Sequence, residues 1–480
     1  MSMDESPSIA ASLLADGVTS LRRSVTDEPR GPLCGMGICF ECRARVDGVE
    51  HQRTCQSFSQ QTPTELKSHS FDIVIVGAGP AGLAAACAAS ESGQSVGVID
   101  DNPDVGGQIW RRERNKPSSR SARKWMKRLK ESKHEFIPGT QVIAHTGEGE
   151  LRVDHQGQAG TISYRRLILA TGARELFLPF PGWTLPNVMG AGGLQAMVKN
   201  GLPIKNKRVI VAGSGPLLLA VASYLRSRGA NVLAVLEQAP SSRVTRFGIS
   251  LLWRAPSKLW QGIRLRRGQS YRAGCWVTRA DGDECLSSVT FTDGKQTWSE
   301  KCDYLACGFG LVPNLELPSM MGCLIRDGKV KVDEMQCALT PEVYCVGELT
   351  GIGGLEKSLI EGQIAGYVST GQHEKARRLF RARKKARRFA ELLDAAFALR
   401  DEVRDLPEAE TIVCRCEDVT WERIRNCQEW REAKLQTRCG MGPCQGRVCG
   451  ASTSFLLGWR DETSTRPPLF PVSVGGLLQE

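Results

Sequence analysis

The sequence predicts an α/β protein in which two strand–glycine turn–helix–strand repeats are flanked by two cysteine-rich segments. Each repeat begins with an apolar strand that runs into a glycine-containing turn, and nine of the 18 cysteines cluster near the two ends of the chain. At about 150 residues per domain, the 480 residues correspond to roughly three domains. The 50 glycines and 41% hydrophobic residues exclude a disordered or fibrous chain.

Composition also bears on where the chain acts. Its apolar stretches are shorter than the ~20 residues needed to cross a bilayer, and MSMDESPSIA does not begin like a signal peptide. We therefore expect a soluble, cytoplasmic chain, in which the cysteines favour metal or redox chemistry over disulfides. The net charge of +11 has basic runs at 111–130 and 375–388. We interpret these runs as solvent-exposed helix faces or as docking surfaces for an acidic protein partner, because no nucleic-acid-binding motif accompanies them.

The N-terminal cysteines have the spacing of a plant-type [2Fe–2S] ligand set. The pattern C-x4-C-x2-C-x12-C is formed by Cys34, Cys39, Cys42 and Cys55. Glycines between the first two let the loop wrap around the sulfurs, and RARVDG followed by QRTC predicts a hairpin that returns Cys55. A four-cysteine zinc site is the alternative, although such sites usually contain two C-x2-C pairs.

The first repeat, FDIVIVGAGPAGLAAACAASESGQSVGVID, predicts a dinucleotide site. Its turn contributes Gly77, Gly79, Pro80, Ala81 and Gly82, which form G-x-G-x-x-G between strand and helix. The second strand ends at Asp100, about 20 residues later, where an acid accepts a hydrogen bond from a ribose hydroxyl. The pyrophosphate is expected on the helix N-terminus, where free amides and the helix dipole favour an anion.

Further segments resemble flavoproteins with two dinucleotide-binding domains. LILATGARE is similar to their ATG motif, and VYCVGELTGIGG to a late strand–turn–helix whose acidic residue contacts the ribityl chain. Glu348 stands where Asp is more usual. The resemblance implies FAD and adds these residues to its site: Gly107, Gln108, Ala170, Thr171, Gly172, Gly347 and Glu348.

The second repeat, RVIVAGSGPLLLAVASYLRSRGANVLAVLEQ, departs from its template. Gly213, Gly215 and the strand-end Glu237 are present, but Leu218 occupies the third glycine position. We expect Leu218 to push the helix from the strand and to crowd a pyrophosphate, which argues against NAD(P)H. A retained fold without nicotinamide chemistry, or ATP or another nucleotide held without redox chemistry, remains open.

The C-terminal cysteines resemble the [2Fe–2S] domain of bacterioferritin-associated ferredoxin (BFD). That domain uses a C-x-C pair, here Cys414 and Cys416, followed by a later pair of cysteines. We assign Cys439 and Cys444 to the later pair because they flank the turn GMGP, with Cys449 as the substitute. The stretch DVTWE predicts a helix capped by Asp418 or Thr420 beside the first pair.

From about residue 71 onward the chain resembles the large flavoprotein subunit of heteromeric amine and amino-acid dehydrogenases. This family includes hydrogen cyanide synthase, octopine and nopaline oxidases, dye-linked proline and D-hydroxyproline dehydrogenases, and the sarcosine oxidase alpha subunit. The strings DVGGQIWR, VAGSGPLLLAVA, CGFGLVPNLEL, TIVCRCEDVT and TRCGMGPCQGRVC carry the resemblance. The N-terminal segment resembles the small ferredoxin-like subunit of the same systems, although it opens only at SIAASLLADGV.

The resemblance implies an electron-transfer subunit with FAD and two [2Fe–2S] clusters. A partner flavoprotein subunit of the D-amino-acid-oxidase type oxidises the substrate, and a quinone or respiratory carrier accepts the electrons, which leaves peripheral membrane association at the inner face open. The sequence assigns no catalytic acid or base. An NAD(P)H-dependent flavin and iron–sulfur reductase is the alternative, and a non-enzymatic scaffold is the third hypothesis.

The same reasoning divides the chain into four parts. A ferredoxin-like domain is expected at 1–68, an FAD-binding domain at 69–188 and 309–373, a second dinucleotide-type domain at 189–308, and a helical linker with the BFD-like domain at 374–480.

Overall fold

The computed structural model describes residues 6–58, 69–112, 119–147, 149–155, 157–459, 465–472 and 474. The chain divides into two compact units, each assembled from separate segments. Unit 1 comprises 1–60, 175–311 and 392–462, and unit 2 comprises 61–174, 312–391 and 463–480. Most of the polar linker expected at 57–70, and residues 113–118 of the first basic run, lie outside the described residues.

The helices have the following bounds: α1 Ile9–Ala15, α2 Pro80–Ala89, α3 Arg120–Glu131, α4 Ala191–Lys199, α5 Leu217–Ser227, α6 Ser241–Arg254, α7 Pro256–Arg266, α8 Glu316–Met320, α9 Gly354–Val368, α10 His373–Arg377, α11 Phe380–Ala396, α12 Trp421–Ile424, α13 Trp430–Thr437 and α14 Cys449–Leu457. None of the described helices is both long and apolar enough to cross a membrane.

The strands have the following bounds: β1 Arg22–Arg23, β2 Pro29–Arg30, β3 Arg43–Val46, β4 Val49–Arg53, β5 His69–Val76, β6 Val96–Ile99, β7 Glu135–Ile137, β8 Thr140–Gly147, β9 Glu150–His155, β10 Gln158–Leu169, β11 Ala173–Glu175, β12 Val188–Gly190, β13 Arg208–Gly213, β14 Asn231–Glu237, β15 Tyr271–Ala273, β16 Trp276–Asp281, β17 Ser288–Thr292, β18 Thr297–Lys301, β19 Tyr304–Gly308, β20 Leu311–Pro313, β21 Ile325–Arg326, β22 Lys329–Val330, β23 Val343–Cys345, β24 Ile412–Cys414 and β25 Val419–Thr420.

Unit 2 is built on a mixed sheet. Its strands run in the order β7-β6-β5-β10-β9-β8, with β23 also paired to β10. Strands β5, β6, β7 and β23 are parallel to β10, whereas β9 and β8 form an antiparallel extension. The apolar run that ends β5 is buried on both faces, as expected for a central parallel strand. Helix α2 consists mainly of small residues that the core buries, and α9 packs against it.

Unit 1 contains a five-stranded parallel sheet in the order β12-β19-β13-β14-β15 and a three-stranded antiparallel sheet β16-β17-β18. The N-terminal segment shares the core of this parallel sheet. Ala10, Ala11 and Leu14 of α1 are buried together with residues of α4, α5 and β13. A hydrogen bond of 2.9 Å from Asn200 Nδ2 to the carbonyl of Cys55 joins the cysteine segment to the end of α4.

The local predictions at the two chain ends have different outcomes. The hairpin predicted after Cys42 is confirmed, because β3 and β4 pair in antiparallel fashion. The basic run at 375–388 lies on α10 and α11, as expected of a helix with a wet face. The predicted Asp418 cap is wrong: α12 spans four residues, Thr420 at its N-cap makes no side-chain hydrogen bond, and Asp418 bonds to the N-terminal segment instead.

Candidate flavin and iron–sulfur sites

Four turns meet at one edge of the sheet in unit 2. They follow β5, β6, β10 and β23, which are neighbouring parallel strands and therefore have their carboxyl ends at the same edge. All the residues predicted from the sequence to bind FAD lie on or next to these turns, at 77–82, 100, 107–108, 170–172 and 347–348. The topology thus brings together segments that are up to 271 residues apart in the sequence.

Glycine is required in and beside the first turn, because the backbone there packs too closely to admit a Cβ. A Cβ on Gly82 would lie 1.8 Å from the carbonyl oxygen of Gly77, and a Cβ on Gly107 would lie 2.9 Å from Cα of Gly79. Helix α2 starts at Pro80 and has no side-chain cap at Gly79, so its first amides are free to bind an anion. This cradle fits the pyrophosphate of FAD.

Asp100, which follows β6, stabilises the turn after β5. Its Oδ2 accepts from the amide of Ala78 at 2.6 Å, and its Oδ1 accepts from the amide of Asn102 at 2.8 Å. Burial, together with the neighbouring Asp101, raises the pKa of Asp100 to about 6. The carboxylate therefore shapes the turn, and its predicted bond to a ribose hydroxyl stays a prediction.

The turn after β10 is fixed by a residue that the sequence reasoning missed. The Thr171 hydroxyl donates to the carbonyl of Asn314 at 3.1 Å, and Asn314 Nδ2 donates back to the carbonyl of Thr171 at 2.8 Å. The amide of Asn314 also donates to the carbonyl of Gly172. Asn314 lies within CGFGLVPNLEL, one of the strings on which the family resemblance is based. That string is the sequence feature that could have pointed to Asn314.

The Gly347 turn carries Glu348, whose side chain folds back on the start of α9. Its two carboxylate oxygens accept from the amides of Gly353 and Gly354 at 2.9 and 3.0 Å. Burial raises the pKa of Glu348. Because Glu is longer than the more usual Asp, it reaches these amides, and its predicted contact with the ribityl chain stays a prediction.

A buried ion network supports the same turn. Lys357 Nζ donates to the carbonyl of Gly347 at 2.7 Å and to Glu361 Oε2 at 2.8 Å, and Arg387 pairs with Glu361 at 2.9 Å. Lys357 and Glu361 are almost fully buried. Neither residue was predicted from the sequence, although the Lys–Glu pair four residues apart in the otherwise mostly apolar segment KSLIEGQIAGYV was a usable signal.

The four N-terminal cysteines are all buried on one loop and its hairpin. Their exposed fractions are 3% for Cys34, 2% for Cys39, 1% for Cys42 and 0% for Cys55. The thiols of Cys34 and Cys39 contact each other, as do those of Cys42 and Cys55. The amides of Met36 and Glu41 donate to the sulfurs of Cys34 and Cys39. Four buried sulfurs with amide donors fit a [2Fe–2S] cluster.

The start of α4 packs against the N-terminal cysteine loop. The amide of Gly190 donates to the carbonyl of Leu33 at 2.9 Å. A Cβ on Gly193 would lie 2.3 Å from the Leu33 carbonyl oxygen, so the approach requires glycine. Buried Glu175 accepts from the amides of Gly192 and Gly193 at 2.8 and 3.1 Å, and burial raises its pKa to about 7.

Five of the six C-terminal cysteines also lie together and are buried: Cys414, Cys416, Cys439, Cys444 and Cys449. The sulfurs of Cys414, Cys439 and Cys449 lie within 4.8 Å of one another. The thiol of Cys416 contacts those of Cys414 and Cys444. This donor set also fits an iron–sulfur cluster, and it offers one thiol more than the four that a cluster needs. The choice of Cys439 over Cys449 stays a prediction.

A buried ion pair joins the two cysteine segments within unit 1. Glu41 lies between Cys39 and Cys42, and Arg415 lies between Cys414 and Cys416. Glu41 Oε2 and Arg415 Nη2 are 3.4 Å apart, and both side chains are at most 1% exposed. Arg22 bridges the pair: its Nη2 donates to Glu41 Oε1 at 2.9 Å and to the carbonyl of Arg415 at 3.0 Å.

A second link lies beside the first. Asp418 Oδ1 pairs with Arg30 Nη2 at 2.7 Å, and both side chains are buried. Asp418 Oδ2 accepts from both the amide and the hydroxyl of Thr26. Both carboxylate oxygens of Asp418 are therefore bonded to the N-terminal segment, and this explains why Asp418 does not cap α12.

The second repeat is closed in a way that the sequence did not predict. Leu218 is fully buried in the core under α5, so its side chain does not crowd the open side of the turn, and that part of the expectation is wrong. The expected displacement of the helix from the strand by Leu218 stays a prediction. Glu237 is also fully buried, and its carboxylate accepts from the amides of Gly215 and Ala239 at 2.7 and 2.8 Å. Burial raises the pKa of Glu237 to about 7.

The chain itself covers this turn. Ser214 Oγ donates to the carbonyl of Phe397 at 2.7 Å, and Gln238 Nε2 donates to Ser214 Oγ at 2.9 Å. The amide of Arg400 donates to Gln238 Oε1 at 3.0 Å. Segment 397–400 therefore lies against the residues that follow β13 and β14, where a dinucleotide binds in this type of fold.

Comparison with known proteins gives two family matches. Residues 71–373 match the family described as pyridine nucleotide-disulphide oxidoreductase. Residues 1–61 match the 2Fe-2S iron-sulfur cluster binding domain. Among solved structures, L-proline dehydrogenase from P. horikoshii has a TM-score of 0.70 at 18% identity, covering 98% of this chain and 94% of that chain. This similarity shows a common fold.

Two relatives are similar over most of their length. An opine oxidase subunit of Rhizobium meliloti is 32% identical over 474 residues, with 87% of this chain and 89% of that protein covered. Hydrogen cyanide synthase subunit HcnB of Pseudomonas protegens is 30% identical over 454 residues, with 84% and 96% covered. On this evidence the chain belongs to the pyridine nucleotide-disulphide oxidoreductase family, as a flavoprotein oxidoreductase with an N-terminal 2Fe–2S domain and homology to the opine oxidase subunit and HcnB.

Proposed function

We propose that this chain is the FAD- and iron–sulfur-carrying electron-transfer subunit of a heteromeric dehydrogenase or oxidase. The observation that supports the proposal is the buried contact between the two cysteine segments through Glu41 and Arg415, because the cysteines that we propose as the ligands of two clusters then lie in neighbouring segments of one unit. Neighbouring one-electron centres form a route for electrons that a flavin has received in pairs. The proposed substrate, oxidised on a partner flavoprotein of the D-amino-acid-oxidase type, is an amino acid or secondary amine of the proline, hydroxyproline, opine, sarcosine or glycine class.

Residues of this chain have separate roles in holding the FAD and in keeping the site in shape. Gly77, Gly79, Pro80, Ala81 and Gly82 hold the FAD pyrophosphate, with the other predicted residues at 100, 107–108, 170–172 and 347–348 around the ribose and the flavin end. FAD supplies the capacity to take two electrons and release them singly. Asn314 and Lys357 keep their turns in shape. Burial of the cysteines excludes water from the sulfurs.

The N-terminal cluster belongs to 1–68 and the second, BFD-like cluster to 374–480, with Cys414, Cys416, Cys439 and Cys444 as its ligands. The proposed electron acceptor is a quinone or another respiratory carrier. The names of two relatives support a heteromeric assembly, since the opine oxidase relative and HcnB are each named as one subunit of an enzyme.

The reductase alternative has less support. A nicotinamide cofactor or ATP would need the turn of the second repeat, and segment 397–400 is hydrogen-bonded to that turn through Ser214 and Gln238. Binding there requires the segment to leave and its hydrogen bonds to be replaced. The geometry therefore favours a retained fold without nicotinamide chemistry.

The test compares the chain alone with the chain plus its partner. Purified alone, it should reduce no artificial dye when given proline, hydroxyproline, sarcosine or an opine. With the flavoprotein subunit that co-purifies with it, one of these amines should support dye reduction. A Cys416→Ser variant should lose most of that activity, and the matched variant Cys302→Ser, at a buried cysteine outside both clusters, should keep it. Dye reduction by the isolated chain would place substrate oxidation here and defeat the proposal.

A further inference from the structure

Helices α6 and α7 form a basic helical hairpin on the surface of unit 1. Between Ser241 and Arg267 the sequence contains seven Lys and Arg residues and no Asp or Glu. These 27 residues therefore contribute +7 toward the net charge of +11 for the whole chain. A single residue, Ala255, connects the two helices, so the charge is concentrated on one short element.

The same hairpin exposes large apolar side chains. Trp253 is 88% exposed and Trp260 71%, and the other three are Ile249 at 57%, Leu252 at 54% and Ile263 at 51%. On α6 the exposed residues are spaced i, i+3 and i+4, and on α7 they are spaced i and i+3, so each helix presents them as one stripe. Leu251, between Ser250 and Leu252, is instead buried.

This combination favours an anionic bilayer over a protein partner. Tryptophan is enriched where a protein meets the headgroup region, and helices that lie on membranes carry Lys and Arg beside Trp, Leu and Ile. Anionic headgroups attract such a basic segment.

We propose that the α6–α7 hairpin is a docking surface for an anionic phospholipid bilayer. Trp253 and Trp260 insert at the headgroup level, and Arg254 and Arg264 contact lipid phosphates. The surface lies in the second dinucleotide domain and uses no residue of the flavin turns or the cysteine sets. The inference therefore stands independently of the proposed electron-transfer function, since binding to lipid is measured without any substrate.

The experiment is co-sedimentation of the purified full chain with vesicles. The chain should bind vesicles of phosphatidylcholine plus phosphatidylglycerol, and it should bind much less to phosphatidylcholine alone. Added salt should weaken binding, because the charges are exposed. A double variant, Trp253→Ser with Trp260→Ser, and a second, Arg254→Glu with Arg264→Glu, should each weaken binding by about tenfold or more.

The matched control reverses charge elsewhere. Lys384→Glu with Lys385→Glu changes two exposed residues of α11, outside the hairpin, and should leave binding within about twofold of the wild type. Unchanged circular dichroism shows that each variant is folded. Equal binding by the hairpin variants and the wild type would overturn the inference, as would absence of binding to anionic vesicles. Loss of a co-purifying protein from the hairpin variants, with lipid binding intact, would reassign the surface to that protein.

Discussion

Glu41 and Arg415 illustrate how single residues between clustered cysteines can join two distant segments of the chain. Each lies inside a short cysteine motif, so its backbone position is fixed by the residues on either side. The two side chains meet where neither reaches water. Burying such a pair is costly unless every charged atom finds a partner, and Arg22 and the carbonyl of Trp183 supply two of these partners.

A first prediction concerns the charge of Glu41. Glu41→Gln keeps the shape of the side chain but leaves Arg22 and Arg415 buried without their counterion. The free energy of unfolding should fall by about 3 kcal/mol, the usual cost of breaking a buried pair. Urea denaturation of the iron-loaded chain measures it. Glu50→Gln, at an exposed position of β4, is the control and should change little; equal stabilities for the wild type and both variants would contradict the buried network.

A second prediction follows from Glu237. Burial raises its pKa from 4.5 to about 7, so the folded chain binds a proton that the unfolded chain has already released between these values. Its contribution to stability is full below pH ~4.5 and is lost as the pH rises through about 7, which amounts to about 3 kcal/mol. Glu237→Gln should reduce the slope of unfolding free energy against pH by this amount across that range, while Glu175 and Asp100, whose pKa values are also raised, keep a slope of their own. The exposed Glu300→Gln should keep the full slope of the wild type, and an equally full slope in Glu237→Gln would refute the assignment.

Among the elements, the glycine turns were the most predictable from the sequence, and the contacts between distant segments were the least. The Gly77–Gly82 turn and the β3–β4 hairpin are local, because neighbouring residues determine them. Asp418 looked like a helix cap, but Arg30 and Thr26, 388 and 392 residues away, hold its side chain. Leu218 looked like an obstruction because a template comparison cannot show that its side chain packs inward.

A third prediction concerns the second repeat as an element. NADH and NADPH should bleach the flavin slowly or not at all, because segment 397–400 covers the turn. Leu218→Ala should behave like the wild type, since the buried Leu218 does not face the turn. Anaerobic stopped-flow absorbance measures both, with dithionite as the positive control for flavin reduction. Fast, stoichiometric reduction of the wild type by either nucleotide would promote the reductase alternative.

At the scale of the whole molecule, the two cysteine sets belong to one compact unit and the flavin turns to the other. Unit 1 takes its parts from the beginning, the middle and the end of the chain. The sequence predicted that the two cysteine sets form separate domains at opposite ends of the chain. It contained no signal that the two cysteine segments are in contact. That information resides in side chains such as Arg22 and Glu41, whose partners are defined only after folding.

A fourth prediction is compositional. The purified chain should contain one FAD and four irons with equal acid-labile sulfide, since each four-cysteine set accommodates a two-iron cluster. Cys42→Ser and Cys416→Ser should each lose two irons, and Cys302→Ser should lose none. Comparing the iron content of Cys439→Ser and Cys449→Ser then identifies which of the two is a ligand. Two irons in the wild type would remove one cluster from the proposal.

The hydrogen bonds between the N-terminal and C-terminal segments can form only late in translation. Arg30 and Asp418 are separated by 388 positions. A ribosome adding about 5–20 residues per second makes the second of these residues roughly 20–80 s after the first. Throughout that interval the N-terminal cysteine loop lacks the segment that buries Glu41. During this time iron and sulfide can reach the N-terminal cysteine loop, before the segment with Arg415 and Asp418 packs against it.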